Sequence, residues 1–263
     1  RDVTVGLTSR GFNHSLARGF RVADDFTITD PGGWNVSSIT FFPYMGNAPT
    51  TPSPITGINF QIWDGPPDNA ASMVVFGDTA TNRLSSTAFA NMYRRLESQP
   101  TDATRPVFAT AGTAGTILPP GTYWLDWQVD GDINYTGPWA PPITIDGQTT
   151  TGNALQSVAG AWQPVVDASL LTSLGLPFII EGTIAQNVAC DSPANVGWLS
   201  VSPTSGSNVG STNTPVTVTF NSTALAVGTY NANLCVTSND PTPGPGNGTN
   251  LVPVPVTLIV QTP

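Results

Sequence analysis

The chain has 263 residues and a net charge of −9; only 10% of residues are charged and 39% are hydrophobic. That balance is unlike a disordered chain and supplies enough apolar surface for a packed core. The acidic surplus excludes a basic nucleic-acid face and an anionic membrane surface as partners, and no apolar stretch reaches the ~20 residues that span a bilayer.

In chain order, "RDVTVGL" reads as a strand. Alternation puts Val3, Val5 and Leu7 on one face, with Asp2 and Thr4 on the other. "TSRGFN" follows as a flexible connector, so residues 1–19 are expected to form a strand on a loose arm. Such a strand can pair within its own sheet or complete a neighbour's, and head-to-tail exchange builds open fibres. His14, the one histidine, is expected at the solvent-exposed surface of this arm.

Short apolar runs then alternate with Gly, Pro, Asn and Asp clusters, the pattern of an all-β sandwich. Strands are predicted at 20–28, 36–44, 55–63, 73–77, 90–96, 105–109, 121–129, 142–146, 161–166 and 177–184. "STAFANMYRRLES" (86–98) fits a helix or a strand. Together these runs predict a jelly-roll-like β-sandwich over residues 20–184.

The stretch "PPGTYWLDWQVDG" (119–131) concentrates aromatics and carboxylates. As a strand it turns Tyr123, Leu125, Trp127 and Val129 to the core, and Trp124, Asp126, Gln128 and Asp130 outward. An aromatic ring among hydrogen-bonding groups suits a sugar-binding strip, which Trp63 and Trp139, each near a Gly/Pro turn, would extend. The competing expectation for these rings is packing over the ends of the sandwich.

After residue 184 the composition shifts. Strands at 198–203, 214–222, 228–239 and 251–262 predict a small immunoglobulin-like β-sandwich over 185–263. Val252, Val254, Val256, Leu258 and Val260 share a face of the last strand, while Pro253 and Pro255 remove amide donors, as on a sheet edge. "GTY" opens both this domain's central strand and the strand at 121–129. The two cysteines, Cys190 and Cys235, suit one disulfide and an extracellular or cell-surface location. Closing a loop of that length would stabilise by about 4 kcal/mol in the chain-entropy model.

Catalytic groups are scarce. His14 lacks the sequence context of a catalytic triad, lysine is absent, and two cysteines with one distant histidine do not make a typical zinc site. Asp24, Asp25, Asp64, Asp126, Asp130, Asp132 and Glu181 fall on predicted strands or turns, but nothing pairs them as glycoside hydrolysis requires. The Asp-rich turns "DGPPDN" and "VDGDIN" offer oxygen ligands for a structural Ca²⁺, yet neither fits the twelve-residue calcium loop. No metal or cofactor is predicted, and the chain is expected to be non-catalytic.

"WLSVSPTSGS", "PVTVTFNSTALAVGTYNANLCVTSNDP" and "VPVPVTLIV" resemble the BACON-type and related immunoglobulin-like modules of secreted bacterial proteins, over residues 190–260. "FRVADDFTI", "IWDGPP", "GPWAPPITI" and "LPFIIEG", within 20–183, are similar to a poorly described β-sandwich domain found beside such modules and sometimes next to subtilisin-like proteases. The resemblance implies a spacer or adhesion module. Together with the N-terminal strand pattern, the low charge and the scarcity of catalytic groups, the expectation is a secreted structural or adhesive protein, a filament or surface subunit that self-associates through its N-terminal strand, or one that holds a glycan or surface protein. The alternative it implies is an accessory region of a secreted hydrolase.

Overall fold

The structure, a computed structural model, describes residues 2–30, 33–184, 195–207, 213–237 and 252–261. The chain clusters into two compact units that part after Ile184. The first contains β1 (Phe12–Asn13), β2 (Arg21–Ile28), β3 (Trp34–Phe41), β4 (Tyr44–Gly46), β5 (Ile55–Trp63), β6 (Val74–Gly77) and β7 (Leu84–Tyr93). It continues with β8 (Pro106–Leu118), β9 (Gly121–Gly131), β10 (Thr136–Ala140), β11 (Leu155–Val158), β12 (Ala161–Pro164) and β13 (Phe178–Ile184). In the second are β14 (Leu199–Ser202), β15 (Thr217–Phe220), β16 (Gly228–Val236) and β17 (Val252–Val260).

The first unit is an antiparallel sandwich. One sheet runs β1-β10-β4-β8-β3-β13, with β7 also on β8; the other runs β12-β11-β2-β9-β5-β6. Aromatic side chains close the space between them. Phe41 on β3 lies 5.6 Å from Phe60 on β5 and 5.3 Å from Trp127 on β9, centroid to centroid. Phe178 on β13 meets Trp127 at 5.9 Å and Phe26 on β2 at 6.1 Å. Burial of each such side chain contributes about 1.5–3 kcal/mol.

Where the strands depart from expectation, local chemistry explains why. β8 runs far past the expected 105–109 because "TAGTAGTI" carries no hydrophobic period. Its small residues answer a packing need: a Cβ on Gly112 would lie 2.7 Å from the Phe60 ring. The ambiguous 86–98 segment belongs to strand β7 as far as Tyr93. Its pairing with β8 slips between Phe89 and Tyr93, where Asn91 adopts φ 55°, and that break blurs the alternation. The strand expected at 142–146 lies at β10 instead, since Pro141 and Pro142 cannot donate to a ladder. The β11–β12 hairpin went unforeseen at β11; it turns on Ala159 and Gly160, both at positive φ, without the usual Asn-Gly signal.

The N-terminal segment is a turn over residues 3–6, not a strand. Leu7 is buried, Val3 and Val5 half-buried, and Leu7 N–H donates to Asp2 O at 3.3 Å. Polar contacts hold it to its own unit. Asp2 accepts from Thr4 N and Oγ1 and from Gly147 N, which hold its carboxyl down at about 2, while Val3 N–H donates to Glu97. Next along the chain, Thr8 and Ser9 N–H donate to Asp167 Oδ2 at 2.8 and 2.7 Å. Burial opposes Asp167's charge, but backbone N–H groups of Ser9, Ser169, Leu170 and Thr8 hold its carboxyl well below the usual range.

In the second unit, β14 pairs with β15 and β16 with β17. Trp198 stacks on Phe220 at 6.3 Å and leans on Tyr230 at 6.2 Å. The expected shared face of β17 has Val252, Val256, Leu258 and Val260 half-buried, with Val254 41% exposed. The two Gly-Thr-Tyr starts share a latch: Tyr123 OH donates to Pro119 O, and Tyr230 OH to Ala226 O, each at 3.0 Å. Cys190 lies outside the described residues, and with it the expected Cys190–Cys235 pairing.

Candidate functional site

β9 runs between β2 and β5. Asp126 sits opposite Ala23 and Gln61, Trp124 opposite Asp25 and Trp63, and Gln128 opposite Asn59. The expected core face is buried, with Leu125 and Val129 at 0% exposure. The expected outward strip is buried too: Trp124 is 8% exposed, Asp126 1% and Gln128 5%. Neighbours cover it. Gln128 Nε2 and Asn59 Nδ2 both donate to Thr79 O, at 2.8 and 2.7 Å, and Trp63 and Trp162 pack over Ala23, Trp124 and Leu155.

Asp126 organises this face. Its Oδ2 accepts from Gln61 Nε2 at 2.8 Å, from Arg21 at 3.1 Å and from Trp63 Nε1 at 3.2 Å. Its buried Oδ1 has no partner among the described residues. Burial pushes the carboxyl up to about 6, against the pull of Arg21, Gln61 and Trp63. The Arg21 guanidinium lies 5.0 Å from the Trp162 ring centroid, a cation–π distance. The half-buried Trp63 and Trp162 and the 21%-exposed Arg21 side chain therefore form the accessible rim over a buried carboxylate. Rings for stacking and N–H donors for hydroxyls are the chemistry this rim offers.

Sequence reasoning placed Trp63 here but missed Arg21, Gln61 and Trp162. Arg21 and Gln61 share the parity of Asp126 on paired strands, a signal that appears only once register is known. Trp139 does not join the strip: it lies half-buried on β10 in the other sheet, opposite Asn13 and Tyr44.

A second feature lies where β2 and β11 part. Their pairing ends at Ala23 opposite Leu155. Beyond it, Asp24 and Asp25 line a cavity of about 400 Å³ shared with Thr151, Asn153, Pro177 and Phe178. Asp24 is 6% exposed and accepts from Leu176 N at 2.7 Å. Burial pushes its carboxyl up to about 6, against the Leu176 and Asp25 N–H bonds.

His14 is a correction to the sequence expectation: it is 1% exposed, with no partner for either ring nitrogen among the described residues. Burial depresses its pKa to about 3, so the ring is neutral. The arm that carries it is tied down where β1 pairs with β10, and His14 O accepts from Val129 N at 2.8 Å. The Asp-rich turns weighed for calcium use their carboxylates internally, Asp64 for Met73 N and Asp132 for Asn134 N. One cluster among the described residues, Asp2, Glu97 and Asp146, brings carboxylate oxygens within 4.8 Å of one another. Two of the three already accept backbone N–H bonds, from Val3 and Gly147.

A model of the viral BACON domain matches residues 175–245. The BACON match begins upstream of the stretch that carries the resemblance in the sequence. It takes in β13, an end strand of the first unit's larger sheet, together with β14, β15 and β16. No curated protein and no solved structure matches the chain.

Proposed function

We propose that this chain is a non-catalytic, extracellular adhesive protein that binds glycan through the rim formed by Trp63, Trp162 and Arg21. The carrying observation is the convergence of Arg21, Gln61 and Trp63 on the buried Asp126, with Trp162 over the guanidinium. Such a network fixes the rings before a ligand arrives, and preorganisation lowers the ordering cost of binding. The BACON match over residues 175–245 agrees with a carbohydrate-binding or adhesive module in that stretch, while the rim lies upstream of it. A non-catalytic role is supported by His14, the one histidine of the chain, being buried away from any substrate. Strand exchange through Val3, Val5 and Leu7 is not part of the proposal, because residues 3–6 form a turn tied to their own unit. A glycan array probed with the whole chain tests it. Binding to a defined glycan class that Trp162→Ala abolishes is expected; an array without signal removes the proposal.

A further inference from the structure

The cavity at the fork between β2 and β11 shares no lining residue with the glycan rim. Its frame is rigid by construction. A Cβ on Gly152 would lie 2.5 Å from Gly175 Cα, so two backbone segments touch directly there. Thr151 Oγ1 accepts from Gly175 N at 3.1 Å and donates to Ile143 O at 3.3 Å, and Ile143 N–H donates to Gly175 O at 2.8 Å.

Two carboxylates line the cavity from opposite faces of β2, Asp24 on the face of Leu125 and Asp25 on the face of Trp124. The Asp24 oxygens accept one bond each, from Leu176 N at 2.7 Å and Asp25 N at 3.0 Å. A carboxylate has about four acceptor positions, so about half of Asp24's remain open. Neither Asp24 nor Asp25 takes part in the ion pairs Arg21–Asp126, Arg83–Asp78 and Arg105–Asp102 seen among the described residues. The chain has no lysine and, after Arg105, no arginine. The segments that wall the cavity, at 143–153 and 176–178, therefore supply no cation. They supply apolar surface from Ile143, Leu176, Pro177 and Phe178, with Thr151 and Asn153 as polar points.

Carboxylates lacking a cation, at the base of a partly apolar cavity, match a charged head on an apolar stem. We propose that this cavity binds a lysine side chain of a partner protein, its ammonium on the open acceptor positions of Asp24, with the Asp25 charge nearby and its methylene stem along Pro177 and Phe178. The apolar wall favours an unbranched methylene stem over a hydroxylated sugar ring, which would leave hydroxyls unpaired there. The chain's net charge of −9 draws a cationic partner in. The cavity and the glycan rim are each tested by their own variants, since no lining residue is shared.

Ionisation of Asp24 couples binding to pH. Its carboxyl titrates at about 6, and Asp25 is the one other titratable group lining the cavity. An ammonium ligand favours the ionised form, so affinity should rise as pH goes from 5 to 7.

The test is a titration of the whole chain with Nα-acetyl-lysine methylamide, followed by NMR shifts of Thr151 and Asn153. Saturable binding is expected, with affinity roughly tenfold lower at pH 5 than at pH 7 and roughly tenfold lower in Asp24→Asn. Asp25→Asn, at a half-buried position, should also weaken binding and serves as the second variant should Asp24→Asn fail to fold. The norleucine analogue, isosteric but uncharged, should not bind. No saturation by the lysine probe at millimolar concentration overturns the proposal, as does equal binding of the norleucine analogue. Binding of glucosamine in place of the lysine probe overturns the assignment to a protein partner.

Discussion

Asp126 and Asp24 lie on neighbouring strands, and burial pushes both carboxyls up to about 6. Their surroundings differ. Asp126 is closed in by Arg21, Gln61 and two tryptophans, whereas Asp24 opens onto a cavity and has only backbone N–H partners. The same desolvation thus has two consequences. A carboxylate given an internal cation becomes part of the frame, and removing that cation should be costly. A carboxylate without one stays available to a ligand, and altering it should barely disturb the frame.

The largest expected effect follows from breaking the closed side. Arg21→Ala strands Asp126 among tryptophans and should cost about 3 kcal/mol in urea denaturation at pH 7. Replacing both partners, Arg21→Met with Asp126→Leu, should return stability to within about 1 kcal/mol of wild type, because no buried charge remains. A single variant no worse than a surface substitution, about 0.5 kcal/mol, would show that the network is not closed.

His14 extends the comparison to a buried group whose ring nitrogens have no hydrogen-bond partner among the described residues. Its pKa falls from 6.5 to about 3 on folding, so the stability it contributes is present above pH 6.5 and lost as pH falls toward 3. By pH 5 that loss is about 2 kcal/mol. The two raised carboxyls act in the opposite sense. Their contribution is present below pH 3.8 and lost as pH rises through 6, so each adds about 1 kcal/mol on going from pH 7 to 5. Wild type should therefore show a nearly flat profile between pH 7 and 5, while His14→Leu should be more stable at pH 5 than at pH 7. Parallel profiles would mean that His14 is not held neutral.

The smallest effect belongs to the open side. Asp24→Asn keeps an oxygen for Leu176 N–H and removes a carboxylate that folding desolvates, so it should not destabilise at pH 7. Between pH 7 and 5 it lacks the gain of about 1 kcal/mol that the Asp24 carboxyl supplies, so its stability should fall where that of wild type stays nearly flat. A loss as large as that of Arg21→Ala would erase the difference between the two carboxylates.

Much of the sandwich was legible because β2, β5, β6 and the core face of β9 follow plain alternation between turn clusters. The other face of β9 was not. Trp124, Asp126 and Gln128 look like a solvated strip until Thr79 and the β11–β12 hairpin are seen to cover them, and that hairpin lacks the usual turn signal. Asp24 and Asp25 were visible as residues but not as a site. Adjacent positions on a strand face opposite ways, and only the parting of β2 from β11 sets both beside one cavity. Val3, Val5 and Leu7 alternate as a strand would, but side-chain bonds to Asp2 and Glu97 hold that segment as a turn.

The most direct measurement is calorimetric titration of the strongest array glycan into wild type and into the Trp63→Ala/Trp162→Ala double variant. If the aromatic rim over Asp126 is the recognition surface, affinity falls at least about tenfold, the loss of one to two ring stacks, while the near-UV spectrum shows the fold intact. Equal affinity in the two proteins would contradict it.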